Sequence, residues 1–130
     1  MKILFICDGN VGRSQIAEAY YNNFTNSLNA TSAGIDPKTP LKWTRPAQVV
    51  LDVMLEENLD LSHKKIKFVT PEMINKAEKI FILCNKKDCP DFILKHTNIY
   101  FWKIKDPYKF SIEKTRLIRD KIKKHVLEII

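Results

Sequence analysis

Residues 2–6, KILFI, form a short apolar run with β-branched content, the pattern of a buried strand. From Ser14 the spacing turns helical: Ile16, Ala17, Tyr20, Tyr21, Phe24 and Leu28 recur on one face with polar residues opposite. ATSA, residues 30–33, predicts a second strand that stops at Gly34. Three prolines make GIDPKTPLKWTRP, residues 34–46, a loop, and Pro46 sits where a helix running to about Asn58 would start. Thr70, Pro71 and Glu72 supply a cap, a first-turn proline and an acid near the positive end of a helix dipole. KIFILC (79–84) and NIYFW (98–102) predict the third and fourth strands. Ser111 then caps a long final helix with Thr115, Ile118, Ile122, Val126 and Ile129 as its apolar stripe.

Strands that alternate with helices require right-handed crossovers and a parallel sheet covered on both faces. The expected architecture is α/β: one three-layer domain over residues 1–130, a four-stranded parallel sheet flanked by helices, with an anion-binding loop after the first strand. In such sheets ligands bind beyond the carboxyl ends of the strands. Cys7 ends the first strand, Cys84 ends the third, and Asp106 follows the fourth. Three chemically capable residues are therefore expected to converge on one edge.

Composition narrows the partners. A chain of 130 residues, 45% of them hydrophobic, buries one core. A formal charge of +7 attracts anions in general and leaves the fold open. Three cysteines do not suit a secreted disulfide scaffold, and the apolar start ends after four residues at Cys7 and Asp8. No apolar run approaches the roughly 18 residues of a membrane span. A cytoplasmic protein without a membrane partner is expected.

CDGNVGRS, residues 7–14, carries the chemistry. Arginine occurs only at positions 13, 45, 116 and 119, against eighteen lysines, so Arg13 stands out. A loop between a strand end and a helix start directs successive N–H groups inward, and the helix adds its free N–H groups and dipole. Asp8, Gly9, Asn10, Val11, Gly12, Arg13 and Ser14 would form this cradle. The planar Arg13 fork holds two oxygens of a tetrahedral anion, which a lysine cannot do. The same field favours the thiolate of Cys7, the reactive form of a cysteine, and Ser14 can add a hydroxyl hydrogen bond. A cysteine and an arginine six residues apart are by themselves a weak signal. The strand before them, Gly9 and Gly12 within and the helix after make the signal specific.

These residues resemble the low-molecular-weight protein tyrosine phosphatases and the thioredoxin-coupled arsenate reductases that share their fold. The resemblance rests on Cys7, Asn10, Arg13 and Ser14, and continues through RSQIAEAY, TSAG and the DPY of residues 106–108. It implies that Cys7 attacks phosphorus, that Arg13 and the loop amides hold the oxyanion, and that Asp106 protonates the leaving oxygen. Asn10 would hold the loop's shape, and Ser14 would stabilise the thiolate. Where many members carry a second cysteine before the arginine this chain has Gly12, so protection of Cys7 by that partner is not expected.

Two branches compete. DPY resembles the phosphatases, with Trp43 and Tyr108 as walls of a slot for a phosphotyrosine ring, and this reading is placed first. Its substrate would be a phosphotyrosine protein or a small phosphate ester. LCNKKDCP, residues 83–90, resembles the reductases, in which Cys7, Cys84 and Cys89 would pass a disulfide to thioredoxin, although their spacing is short for that pattern. Neither branch calls for a cofactor. Lys114, Arg116, Arg119, Lys121, Lys123 and Lys124 surround an apolar stripe and read as the solvated face of a packed helix, not a nucleic-acid surface. Cys84, Cys89 and His96 lack the close paired spacing and fourth ligand of a zinc site, so no metal is expected. His63, His96 and His125 receive no role.

Overall fold

The computed structural model describes residues 1–107 and 111–130. Strands β1 (Ile3–Cys7), β2 (Ala30–Gly34), β3 (Lys79–Ile82) and β4 (Ile99–Phe101) form one parallel sheet in the order β2-β1-β3-β4. Helices α1 (Arg13–Thr25), α2 (Thr39–Lys42), α3 (Gln48–Leu55), α4 (Pro71–Lys76), α5 (Asp91–Leu94) and α6 (Ile112–Ile129) make the connections and outer layers. The expected single α/β domain is what the chain forms.

β1 explains the layering. All five of its residues are buried, as a central parallel strand requires, and the two-residue period divides them between faces. Ile3, Phe5 and Cys7 join a core with Ile16 and Tyr20 of α1, Val50 and Met54 of α3, and Ile122 and Val126 of α6. Leu4 and Ile6 join a second core with Ile74 of α4, Ile80 and Ile82 of β3, and Ile93 of α5. Each fully buried large aliphatic side chain contributes about 1.5–3 kcal/mol relative to exposure. β1 thus anchors both layers while its carboxyl end delivers Cys7 to the sheet edge.

Two helix starts follow their sequence signals. Thr70 Oγ1 accepts a hydrogen bond from the Met73 N–H at 3.2 Å, and Ser111 Oγ accepts one from the Lys114 N–H at 3.2 Å. Other details differ from the sequence pattern. α1 ends at Thr25 because Asn26 adopts the left-handed conformation (φ 48°), leaving Phe24 at the boundary of exposure and Leu28 in solvent. The proline-rich loop contains α2, with Pro40 in its first turn. α3 starts at Gln48, two residues after Pro46, because Ala47 has extended backbone (ψ 145°), with its N–H bound to the Val11 carbonyl at 2.9 Å. Asn58, left-handed at φ 60°, lies beyond the end of α3 at Leu55. β3 ends at Ile82, two residues before Cys84, although the Leu83 N–H still bonds the Ile6 carbonyl at 2.7 Å. Tyr108 lies outside the described residues.

The basic α6 face is also more structured than a solvated stripe. Arg116 pairs in a bidentate fashion with Glu56, and Lys123 Nζ lies 2.9 Å from Glu57 Oε1. Arg119 is buried, donating to the Val53 carbonyl at 2.9 Å and to Glu56 at 2.7 Å. These basic groups clamp α6 onto the end of α3. Among the described residues no helix is long and apolar enough to cross a membrane.

Gly34, opposite Cys7 in the register, marks the closest backbone approach near the site. A Cβ there would lie 2.8 Å from both the Asp8 carbonyl oxygen and the Gly9 carbonyl carbon. Rigid backbone cannot yield as a side chain would, so Gly34→Ala is expected to destabilise the protein by about 2 kcal/mol. Urea unfolding measures this, and an unchanged midpoint would contradict the close approach.

Candidate active site

The carboxyl end of β1 opens into the loop predicted to cradle an anion. Asn10 sits at its apex in the left-handed region (φ 61°), where asparagine is among the better tolerated non-glycine residues. Its buried amide is completely used. Nδ2 donates to Ser14 Oγ at 2.8 Å and Ser32 Oγ at 2.9 Å, while Oδ1 accepts from Gln15 Nε2 and the Lys67 N–H, each at 3.0 Å. One side chain thereby ties the loop to α1, β2 and the segment before α4. Ser32 continues the chain by donating to buried Glu18 at 2.9 Å, and Glu18 pairs with Lys64 at 3.1 Å. Burial lowers the Lys67 pKa.

Cys7 Sγ lies inside this frame. It shares a hydrogen bond with Ser14 Oγ at 2.9 Å and accepts one from the Asn10 N–H at 3.3 Å. Both contacts suit a thiolate. Arg13, the first residue of α1, is buried beside it. Nη1 donates to the carbonyls of Leu83 at 2.8 Å and Ile104 at 3.0 Å; Nη2 meets Asp8 Oδ2 at 2.9 Å, with Asp106 Oδ2 at 3.7 Å. Burial opposes the charge of Arg13, but Cys7 first, then Asp106 and Asp8, outweigh it and raise its pKa.

A cavity of about 200 Å³ opens over these groups, lined by the loop, Asp36, Thr39, Trp43 and Asp106. It is large enough for a tetrahedral oxyanion. A larger cavity of about 320 Å³ lies at the other end of the strands, between Lys2 and Lys76, and holds neither a nucleophile nor a fork of donors. Chemistry, not size, marks the first as the site. Gly12 has a packing role there: a Cβ on it would come within 3.1 Å of Pro107 Cγ, so the bare backbone lets the loop carrying Asp106 close over the cradle.

The remaining cysteines are held together but point elsewhere. Cys84 Sγ and Cys89 Sγ are 3.9 Å apart, both buried and both reduced. The hydrogen bond to Cys89, then burial, pushes the Cys84 thiol well up, and the same bond lowers Cys89. The pair belongs to the second core, whereas Cys7 belongs to the first. Cys84 nonetheless senses the charge of Cys7 and Asp8. His96 is distant from the pair in the fold, its Nε2 2.9 Å from the carbonyl of Ala77 ahead of β3. Among the described residues no group of three potential ligands could hold a metal ion.

The structure thus brings together Cys7, the loop from Asp8 to Ser14, Asp106 and Trp43, as the sequence suggests. Gln15, Glu18, Ser32, Asp36 and Lys67 were not singled out from sequence. Only Glu18 carried a signal, an acid four residues after Ser14 and so on the same helix face.

Known proteins resemble the chain in sequence and in fold. The family model for low molecular weight phosphotyrosine protein phosphatase covers residues 2–130. An arsenate reductase of Bacillus cereus (strain G9842) is 30% identical over 127 residues, covering 95% of this chain and 90% of its own. One from Brevibacillus brevis is 32% identical over 123 residues, covering 92% and 87%. A solved structure of the arginine phosphatase YwlE with a phosphorylated active-site serine superposes with a TM-score of 0.83 at 19% identity, covering 97% of this chain and 91% of that one. That last likeness concerns the fold.

Asn10→Ala removes four hydrogen bonds and places a Cβ-bearing residue without a local side-chain partner at positive φ. It is expected to cost about 3 kcal/mol in urea unfolding. Asn10→Gly keeps the backbone free and isolates the amide's share. If glycine restored full stability, the hydrogen bonds would not be what holds the loop.

Proposed function

The chain belongs to the low molecular weight phosphotyrosine protein phosphatase family, and from that premise we propose that it is a thioredoxin-coupled arsenate reductase. The observation that carries this reading is the reduced Cys84–Cys89 pair, 3.9 Å between sulfurs, on the segment that Arg13 grips through the Leu83 carbonyl. The two relatives named arsenate reductase, each covering more than nine-tenths of the chain, support it. The sequence alone placed the phosphatase first; the sulfur pair and these relatives reverse that order.

The cradle and Arg13 bind arsenate with its arsenic above Cys7 Sγ. The thiolate attacks arsenic(V), an S–As bond forms, and one arsenate oxygen leaves as water after protonation. Cys84 then attacks Cys7 Sγ. The S–As bond breaks with its electron pair on arsenic, so arsenite departs as arsenic(III) and a Cys7–Cys84 disulfide forms. As the new S–S bond forms, the Cys84 proton passes to solvent or to Cys89 Sγ, 3.9 Å away. Cys89 next attacks Cys84, returning Cys7 as thiolate, and the Cys84–Cys89 disulfide is reduced by the dithiol of thioredoxin, the cytoplasmic partner this reading implies. No cofactor is required. Because the pair packs on the opposite face of the sheet from Cys7, the segment after Leu83 must turn during the second step.

One observation favours a second reading. Asp106 Oδ2 lies 3.7 Å from Arg13 over the cavity, with Trp43 on its wall, where it would protonate the leaving oxygen of an aryl phosphate attacked by Cys7. Tyr108, the other proposed wall, lies outside the described residues.

Both readings are tested with purified protein, arsenate plus a thioredoxin system in one assay and an aryl phosphate in the other. Cys7→Ser is expected to abolish both activities. Cys84→Ser and Cys89→Ser are each expected to lower steady-state arsenate reduction by at least about 1,000-fold while sparing any ester hydrolysis. Arsenate reduction that survives in the double variant overturns the disulfide cascade, and none in the unaltered protein overturns the reductase reading. Asp106→Asn is expected to lower kcat for the aryl phosphate by about 100-fold, and an unchanged kcat removes Asp106 as the acid.

A further inference from the structure

The cradle holds a negative charge of its own. Asp8, the residue directly after Cys7, places Oδ2 2.9 Å from Arg13 Nη2. The other guanidinium nitrogen, Nη1, is already committed to the carbonyls of Leu83 and Ile104. An oxyanion seated over Cys7 therefore reaches Arg13 only through Nε and what Asp8 leaves of Nη2. We propose that Asp8 is an internal counter-ion that competes with the oxyanion for Arg13 and sets the affinity of the site.

Three features give Asp8 this role. Its main chain is fixed, the carbonyl accepting from the Ile35 and Asp36 N–H groups, each at 2.9 Å, so the carboxylate stays at the cavity rim. Its side chain is 48% exposed, so water hydrates the carboxylate once an anion displaces it from Arg13. Arg13, at 6%, has no such freedom and keeps its place when Asp8 leaves. The remaining acids differ from Asp8: Asp106 Oδ2 stands farther from Nη2, at 3.7 Å, and Asp36 lines the cavity while accepting from the Lys38 N–H. Asp8 keeps the buried guanidinium neutralised between turnovers. A tightly charged anion must displace it, and binding is weaker by the cost of that exchange. Asp8 is thus a specificity-determining and positioning residue that forms no bond to the reacting atom.

The inference rests on the cradle being an oxyanion site, and is independent of which reaction follows. Its test is calorimetric titration with inorganic phosphate, joined to KM and kcat for arsenate. Asp8→Asn is expected to tighten phosphate by about tenfold and to lower the KM for arsenate with a smaller change in kcat. Asp36→Asn removes the same charge from the same rim without freeing Arg13, and is expected to gain clearly less. Asp8→Ser carries the same expectation should the asparagine variant not fold. Weaker phosphate binding in the Asp8 variants would mean that Asp8 only supports Arg13, and an equal gain in Asp36→Asn would reduce the effect to the general field. Either result overturns the proposal. If the unaltered protein binds no phosphate, the cradle reading falls and this inference with it; binding without a gain in Asp8→Asn overturns this inference alone.

Discussion

A guanidinium keeps its proton inside a protein, so a buried arginine must be met by acceptors or the fold carries an uncompensated charge. Arg13 is that arginine, and its acceptors come from three places far apart in sequence. Leu83 follows β3, Ile104 follows β4, and Asp8 follows β1. The first residue of α1 therefore gathers the carboxyl ends of three of the four strands. The same contacts lie next to each candidate site residue, since Leu83 precedes Cys84, Ile104 precedes the loop of Asp106, and Asp8 follows Cys7. Breaking a buried charge–acceptor set of this kind typically costs about 3–5 kcal/mol.

Asn10 does for the loop what Arg13 does for the strand ends. It must adopt positive φ to turn the chain back toward α1, and its amide replaces the regular hydrogen bonds that a left-handed residue forgoes. Ser14 and Ser32 extend that network in two directions, one to Cys7 and the other to Glu18. The Cys7 sulfur is thereby connected through side chains alone to Lys64. Such a network is held by satisfied polar groups, and each lost partner leaves its neighbour buried without one.

Much of this was legible in the sequence because it is local. The run before Cys7, the caps at Thr70 and Ser111 and the Cys7–Ser14 loop are fixed by neighbours within one turn. Parallel topology follows from alternation of elements. What escaped reading depends on tertiary contact. Leu28 continues the apolar spacing of α1, yet Asn26 ends the helix first, because a short polar side chain tolerates the left-handed turn. Arg119 looks like one more surface base, but α6 lies against the end of α3, where Glu56 and the Val53 carbonyl wait for it. Ser32 and Lys67 enter the site through the backbone register of β2 and the approach of residues 65–67, neither of which has a sequence signature.

The placement of the three cysteines shows how a two-residue period shapes function. Cys7 and Cys84 stand near the same sheet edge but in different cores, because the alternation of β3 runs on past its end: Phe81 and Leu83 join the core of Cys7, whereas Ile80, Ile82 and Cys84 join the other. The hydrogen bond to Cys89, then burial, pushes the Cys84 thiol up and favours its protonated form. In the proposed cascade Cys84 has to reach Cys7 from the other core, and Arg13 binds the Leu83 carbonyl next to it. The same arginine is the one proposed to receive the oxyanion. Under that proposal, anion binding and the segment that carries Cys84 draw on one guanidinium, whose donors Leu83, Ile104 and Asp8 already share.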